Sequence, residues 1–130
     1  MTSAPDQTTW VRELAEAALE KKAQDLVALD VHELTSFTDA FLIATGTSDR
    51  HVRSVADALV AASQASGKTP LGVEGYEEGR WVLIDLNDVV VHVFQEEVRK
   101  YYDLERLWGD APAIALAQPA EHLVERETAR

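Results

Sequence analysis

Residues 81–94, "WVLIDLNDVVVHVF", constrain the fold more than any other part of this chain. Branched and aromatic side chains fill two runs on either side of Asn87-Asp88, and Asn and Asp tolerate the left-handed backbone that a two-residue hairpin turn demands. With the turn at those two residues the register follows. Leu86 faces Val89, Ile84 faces Val91 and Val82 faces Val93, while on the opposite face Asp85 meets Val90, Leu83 meets His92 and Trp81 meets Phe94. The first face is purely aliphatic and must meet a core. The second combines Trp, Phe, Leu, His and a carboxylate, a mixture that a dry core satisfies poorly.

The rest of the chain supplies what such a sheet needs. Val11, Leu14, Ala15, Ala18 and Lys22 recur at helical spacing, with Lys21-Lys22 closing the helix where its dipole favours cations. The apolar runs "DLVALDV" (25–31) and "AFLIAT" (40–45) read as buried strands. Gly46 ends the second run, and Thr47 or Ser48 caps a helix with Val52, Val55, Ala56, Leu59, Val60 and Ser63 on one face and Gly67 as its stop. "TPLGVEG" (69–75) reads as a further strand and "YEEGR" (76–80) as a loop. This order predicts an α/β fold, a single domain with a mixed sheet flanked by helices, which 130 residues suffice to enclose. The domain is expected over 1–112, with 113–130 as a loosely ordered tail broken by Pro119.

Composition narrows the function classes. No apolar run approaches the ~20 residues of a membrane span, and "MTSAPDQTTW" lacks the layout of a secretory signal, so a cytoplasmic protein with no membrane contact is expected. With no cysteine, disulfides and thiolate metal sites are excluded. Twelve basic against 23 acidic side chains leave a formal charge of −11, which repels phosphate backbones and anionic lipids and favours a basic protein surface as partner. Such acidity also serves plain solubility.

Something must cover or contact the mixed face of the hairpin. In one reading "VRKYYDLERLW" (98–108) folds back as a helix whose Tyr101, Leu104 and Trp108 shield it. In the other, hairpin and helix together form an aromatic patch ringed by carboxylates, the composition of an interface hot spot. His92 is then either a half-buried cross-strand neighbour of Leu83, bonded to a carboxylate, or a partner contact.

Catalysis finds little support. A nucleotidyltransferase needs a Gly-Ser pair opening a helix and carboxylates one residue apart on a strand; "GTSDRH" (46–51) offers the first, but Asp85 and Asp88 have the wrong spacing for the second. Ser48, Asp49 and His51 share one helical turn and diverge, so they give no triad. His32, His51, His92 and His122 are scattered without paired spacing, so neither a metal nor another cofactor site is expected.

The segments "LDV" (29–31), "TDAFLIATGTSDRHV" (38–52), "LGVEG" (71–75), "WVLIDLNDVVVHVFQEEVR" (81–99) and "YDLERLWGDAP" (102–112) resemble, in order, the signature segments of the bacterial ribosomal silencing factor family, also called the Iojap family. The resemblance runs from about Trp10 to Pro112, and departs from the common pattern where Asn87 replaces a glycine in the hairpin turn. It implies nucleotidyltransferase-like topology, frequent homodimers, and binding to the large ribosomal subunit through its protein numbered fourteen. On this reading the factor is no enzyme. It blocks small-subunit joining sterically when nutrients are scarce, without sequence-specific nucleic-acid binding, and large-subunit assembly is the alternative role. The family segments place the expected contact surface at Trp81, Leu83, Asp85, Tyr102, Leu104, Glu105, Leu107 and Trp108, to which the hairpin face adds His92.

Overall fold

A computed structural model describes residues 3–116. Helix α1 (Ser3–Glu20) buries Trp10, Val11, Leu14, Ala15 and Ala18, the stripe its spacing predicts. It stops before the two lysines. Lys22 takes a left-handed φ of 65°, its N–H donates to Leu19 O, and Ala23 N–H donates to Ala18 O. That is a Schellman closure with a lysine in the usual glycine place, so the expected last-turn cations lie beyond the helix end.

Strands β1 (Gln24–Asp30) and β2 (Ala40–Gly46) pair antiparallel, and β2 is buried along its whole length. Gly46 is the last residue of β2; a Cβ there would meet Val52 Cγ2 at 2.8 Å, so the glycine lets α2 (Asp49–Ala65) approach the strand end. Ser48 caps α2 by accepting from His51 N–H, and Gly67, at φ 80°, ends it in a second Schellman closure with Lys68 N–H on Ser63 O. Strand β3 is shorter than "TPLGVEG" suggests, covering only Gly72–Glu74.

The hairpin is β4 (Trp81–Asp85) and β5 (Val89–Gln95), in the predicted register: Trp81 opposite Phe94, Val82 opposite Val93, Leu83 opposite His92. In its turn Asn87 alone of the central pair is left-handed, at φ 76°. With β6 (Ala113–Ile114) at one edge, the sheet order is β3-β4-β5-β2-β1-β6, with β2 and β5 parallel at its centre and every other pair antiparallel. Strand β6 pairs with β1, and Leu116 packs on the core, so the folded unit runs past the expected boundary at 112. The rest of the expected tail, with Pro119 and His122, lies outside the described residues.

Two cores result. Helices α1 and α2 cover the aliphatic face, meeting Ala28, Leu42, Val82, Ile84, Val91 and Val93. The mixed face was expected to resist burial, yet its β5 half is buried: Leu29, Phe41, Ile43, Val90, Phe94 and Val98 form a second core. Two short helices cover it, α3 (Glu96–Tyr102) and α4 (Leu104–Leu107).

Candidate functional site: an aromatic surface on the half-covered sheet face

The single helix expected over 98–108 is broken. Asp103 adopts φ 49°, ψ 57°, its N–H donates to Arg99 O, and the chain turns before α4 begins. The break changes which side chains reach the sheet. Leu104 and Trp108 pack on the second core, as the shielding reading has it, whereas Tyr101 points outward and is 81% exposed.

The aromatic rings form a continuous chain across this face. Tyr101 meets Tyr102 edge-on at 5.0 Å, Tyr102 meets Trp81 at 4.8 Å, and Trp81 meets Phe94 at 4.8 Å. His92 stands 5.3 Å from Phe41, which meets Trp108 edge-on at 5.2 Å. Phe37, from the loop between β1 and β2, continues the chain with a tilted contact to Phe41 at 6.2 Å and an edge-on contact to Trp108 at 6.5 Å. Offset and edge-to-face pairs of this kind each contribute ~0.5–1.5 kcal/mol beyond area burial. The inner rings are therefore held firmly, while the outer ones face solvent.

The predicted contact residues sort by this geometry. Trp81, Leu83, Leu104 and Trp108 are half-buried, anchored in the second core with one side outward. Tyr102 and Leu107 are exposed, Leu107 at 72%. Sequence reasoning missed Phe37, which is 61% exposed beside Trp108; a lone Phe in the polar segment "HELTSFTD" carries no periodic signal.

Three of the expected contact residues have partners of their own within the fold. His92 is only 5% exposed, beneath the surface, and its hydrogen-bond partner is the Trp81 indole at 3.1 Å in place of a carboxylate. Burial pushes its imidazole down to about pKa 4. Glu105 is no free rim acid: it grips the Arg99 guanidinium through both oxygens at 3.0 Å. The Asp85 carboxylate accepts from Asn87 N–H at 2.9 Å and so caps the hairpin turn.

The polar motif at the start of α2 is absorbed by packing. His51 accepts from Thr47 N–H at Nδ1 and bonds Lys21 O through Nε2 at 2.7 Å, joining the end of α1 to the start of α2. Asp49 pairs with Arg53, which holds its carboxyl below the usual range, and Ser48 serves as the cap. These three side chains thus point to three different structural partners. Among the described residues no group of three or more His, Asp or Glu side chains gathers as metal ligands, and no helix is long and apolar enough to cross a membrane.

A mixed sheet sheathed by long helices on one face and presenting a half-buried aromatic surface on the other defines a small α/β domain whose main surface feature is apolar and aromatic. The chain belongs to the ribosomal silencing factor family: the family model described as "Ribosomal silencing factor during starvation" matches residues 4–130. It is 48% identical over 97 residues to ribosomal silencing factor RsfS of Halalkalibacterium halodurans, covering 75% of this chain and 83% of that protein. With the Bacillus subtilis protein of the same name it shares 43% over 111 residues, covering 85% and 94%. The mouse protein named "Mitochondrial assembly of ribosomal large subunit protein 1" is 29% identical over 92 residues, 68% of this chain and 40% of its own length. A crystal structure of a Chromobacterium violaceum protein superposes with a TM-score of 0.76 at 38% identity, covering 86% of this chain and 88% of that one.

Proposed function

We propose that this chain binds the large ribosomal subunit at its protein numbered fourteen and sterically blocks the small subunit from joining, repressing translation under nutrient limitation. The observation that carries this reading is the aromatic face, where Phe37, Tyr102 and Leu107 stand exposed around the half-buried Trp81 and Trp108, in a member of the silencing factor family. Aromatic anchors surrounded by polar surface are the composition from which binding hot spots are built. The formal charge of −11 suits a basic partner surface and steers association. No chemistry is called for. A 130-residue domain is roughly 30 Å across, far wider than the gaps of a close-packed interface, so bulk suffices. The site of action is the cytoplasm, where subunits meet, and a homodimer is compatible with the free state.

Light scattering of subunit joining tests the reading. Factor added to separated subunits should lower the yield of joined ribosomes, saturating at about one factor per large subunit, while preformed ribosomes should resist it. Inhibition at small fractions of one per subunit would indicate turnover and an enzyme. The name of the mouse relative favours a second reading, large-subunit assembly. Binding to large subunits without loss of joining would decide for that role.

A further inference from the structure

The geometry points to Arg99 as the positioning residue of the aromatic surface, a clamp that fixes α4 and Trp108 in the arrangement a partner meets. This rests on the proposed function for what the surface binds, and on the side-chain geometry for how it is held. Arg99 Nε and Nη2 donate to the two oxygens of Glu105 at 3.0 Å each, and Nη1 donates to Thr45 Oγ1 and Asp25 O at 2.7 Å each. One guanidinium therefore ties α4 to the central strand β2 and to β1. Its side chain is only 11% exposed.

Both flanking backbone irregularities serve this residue. Asp25 takes φ 50° where the β1–β2 register shifts between Gln24 and Val27, and its carbonyl accepts from the guanidinium. Asp103 takes φ 49°, its N–H bonded to Arg99 O, which breaks the helix and lets Glu105 turn back onto Arg99. Left-handed aspartates cost conformational energy, and two of them around one side chain mark a constraint that the surroundings enforce.

The bland alternative is that packing of Leu104 and Trp108 alone seats α4, and that Arg99–Glu105 is one more surface ion pair of negligible weight. Two features weigh against it. A four-residue helix has no side-chain cap and is far below the length at which helices persist on their own. The fork-to-fork geometry, the low exposure and the further bonds to two other segments are those of a specified junction, for which lysine is no substitute.

The test uses the full chain labelled with 5-fluorotryptophan, whose three indoles give three fluorine resonances. Loss of a resonance in Trp108→Phe assigns that residue. In Arg99→Ala the Trp108 resonance should shift and broaden while Trp10, in the opposite core, stays unchanged. Arg99→Lys should not rescue it. If α4 is then docked about a tenth of the time, apparent affinity for purified large subunits falls about tenfold. Glu105→Gln, which keeps the shape of the side chain, should shift the same resonance to a lesser degree, and it decides the matter should Arg99→Ala fail to fold. An unmoved Trp108 resonance in every folded variant overturns the clamp. So does lost affinity with that resonance unmoved, which would make Arg99 and Glu105 direct contacts. A shifted resonance with wild-type affinity removes the functional half of the inference. If the wild-type chain does not bind large subunits, the proposed function falls and the resonances still judge the clamp.

Discussion

The indole Nε1–H of Trp81 donates to Nδ1 of His92 across the β4–β5 pair, which makes the buried imidazole a neutral acceptor protonated at Nε2. Among the described residues that Nε2 has no hydrogen-bond partner, and Phe41 stands nearly perpendicular to the ring. Burial drives the imidazole down to about pKa 4, and a proton added at Nδ1 breaks the bond to Trp81.

Stability should therefore fall in mild acid. The folded pKa lies below the unfolded value of 6.5, so the unfolded chain binds the extra proton between about pH 6.5 and 4. Stability from this group is full above 6.5 and declines as pH falls toward 4, by on the order of 3 kcal/mol in all. Urea unfolding at pH 7 and pH 5 should show a smaller drop for His92→Phe than for wild type. Equal drops would mean that His92 is not the titrating group.

Exposure separates binding from folding on the aromatic face. Leu107→Ala should unfold within ~0.5 kcal/mol of wild type, because its side chain is mostly in solvent, whereas Phe37→Ala should cost ~1 kcal/mol or somewhat more through its lost ring contacts with Phe41 and Trp108. Their affinity for large subunits should fall by ~1–2 kcal/mol. Trp108→Ala should lose both, with a stability cost of about 2 kcal/mol, below the range for a fully buried Trp because one side of its ring is outward. Unchanged sedimentation with large subunits in all three would remove the face from the functional account.

The turn cap formed by Asp85 is separable from its charge by substitution. Asp85→Ala should cost about 1 kcal/mol in thermal unfolding through the lost bond to Asn87 N–H. Asp85→Asn keeps an acceptor oxygen and should stay close to wild type. Stopped-flow association of the Asn variant at several salt concentrations then reads charge alone, and an on-rate insensitive to both salt and substitution would exclude steering by this acid.

Gly75 holds the entry to β4. A Cβ there would lie 2.1 Å from Trp81 O, and the residue sits at φ 80°. Gly75→Ala should cost about 3 kcal/mol or more in chemical denaturation, against the gain that Gly→Ala gives where the backbone permits it. A variant as stable as wild type would mean that this loop relaxes without disturbing Trp81.

The elements that were legible in the sequence are those with local causes. Alternation on both sides of Asn87-Asp88 specified the pairing of Trp81 with Phe94 and Leu83 with His92, because a strand's period of two leaves one register that keeps the aliphatic face together. Ser48, Gly67 and the stripe from Val52 to Ser63 marked α2 for the same reason, and the ordered family segments carried the resemblance. Other features depend on chain partners far apart, and no local pattern encodes them. The parallel pairing of β2 with β5 was one, and the burial of His92 against Phe41, which that pairing brings beside it, was another. Phe37 joined the surface only because Phe41 and Trp108 meet it there. The break at Asp103 turned Tyr101 outward, and Arg99 found Asp25 across 74 positions of chain. Periodicity reports which side of an element is apolar; which element arrives to cover it is settled only when the whole chain packs.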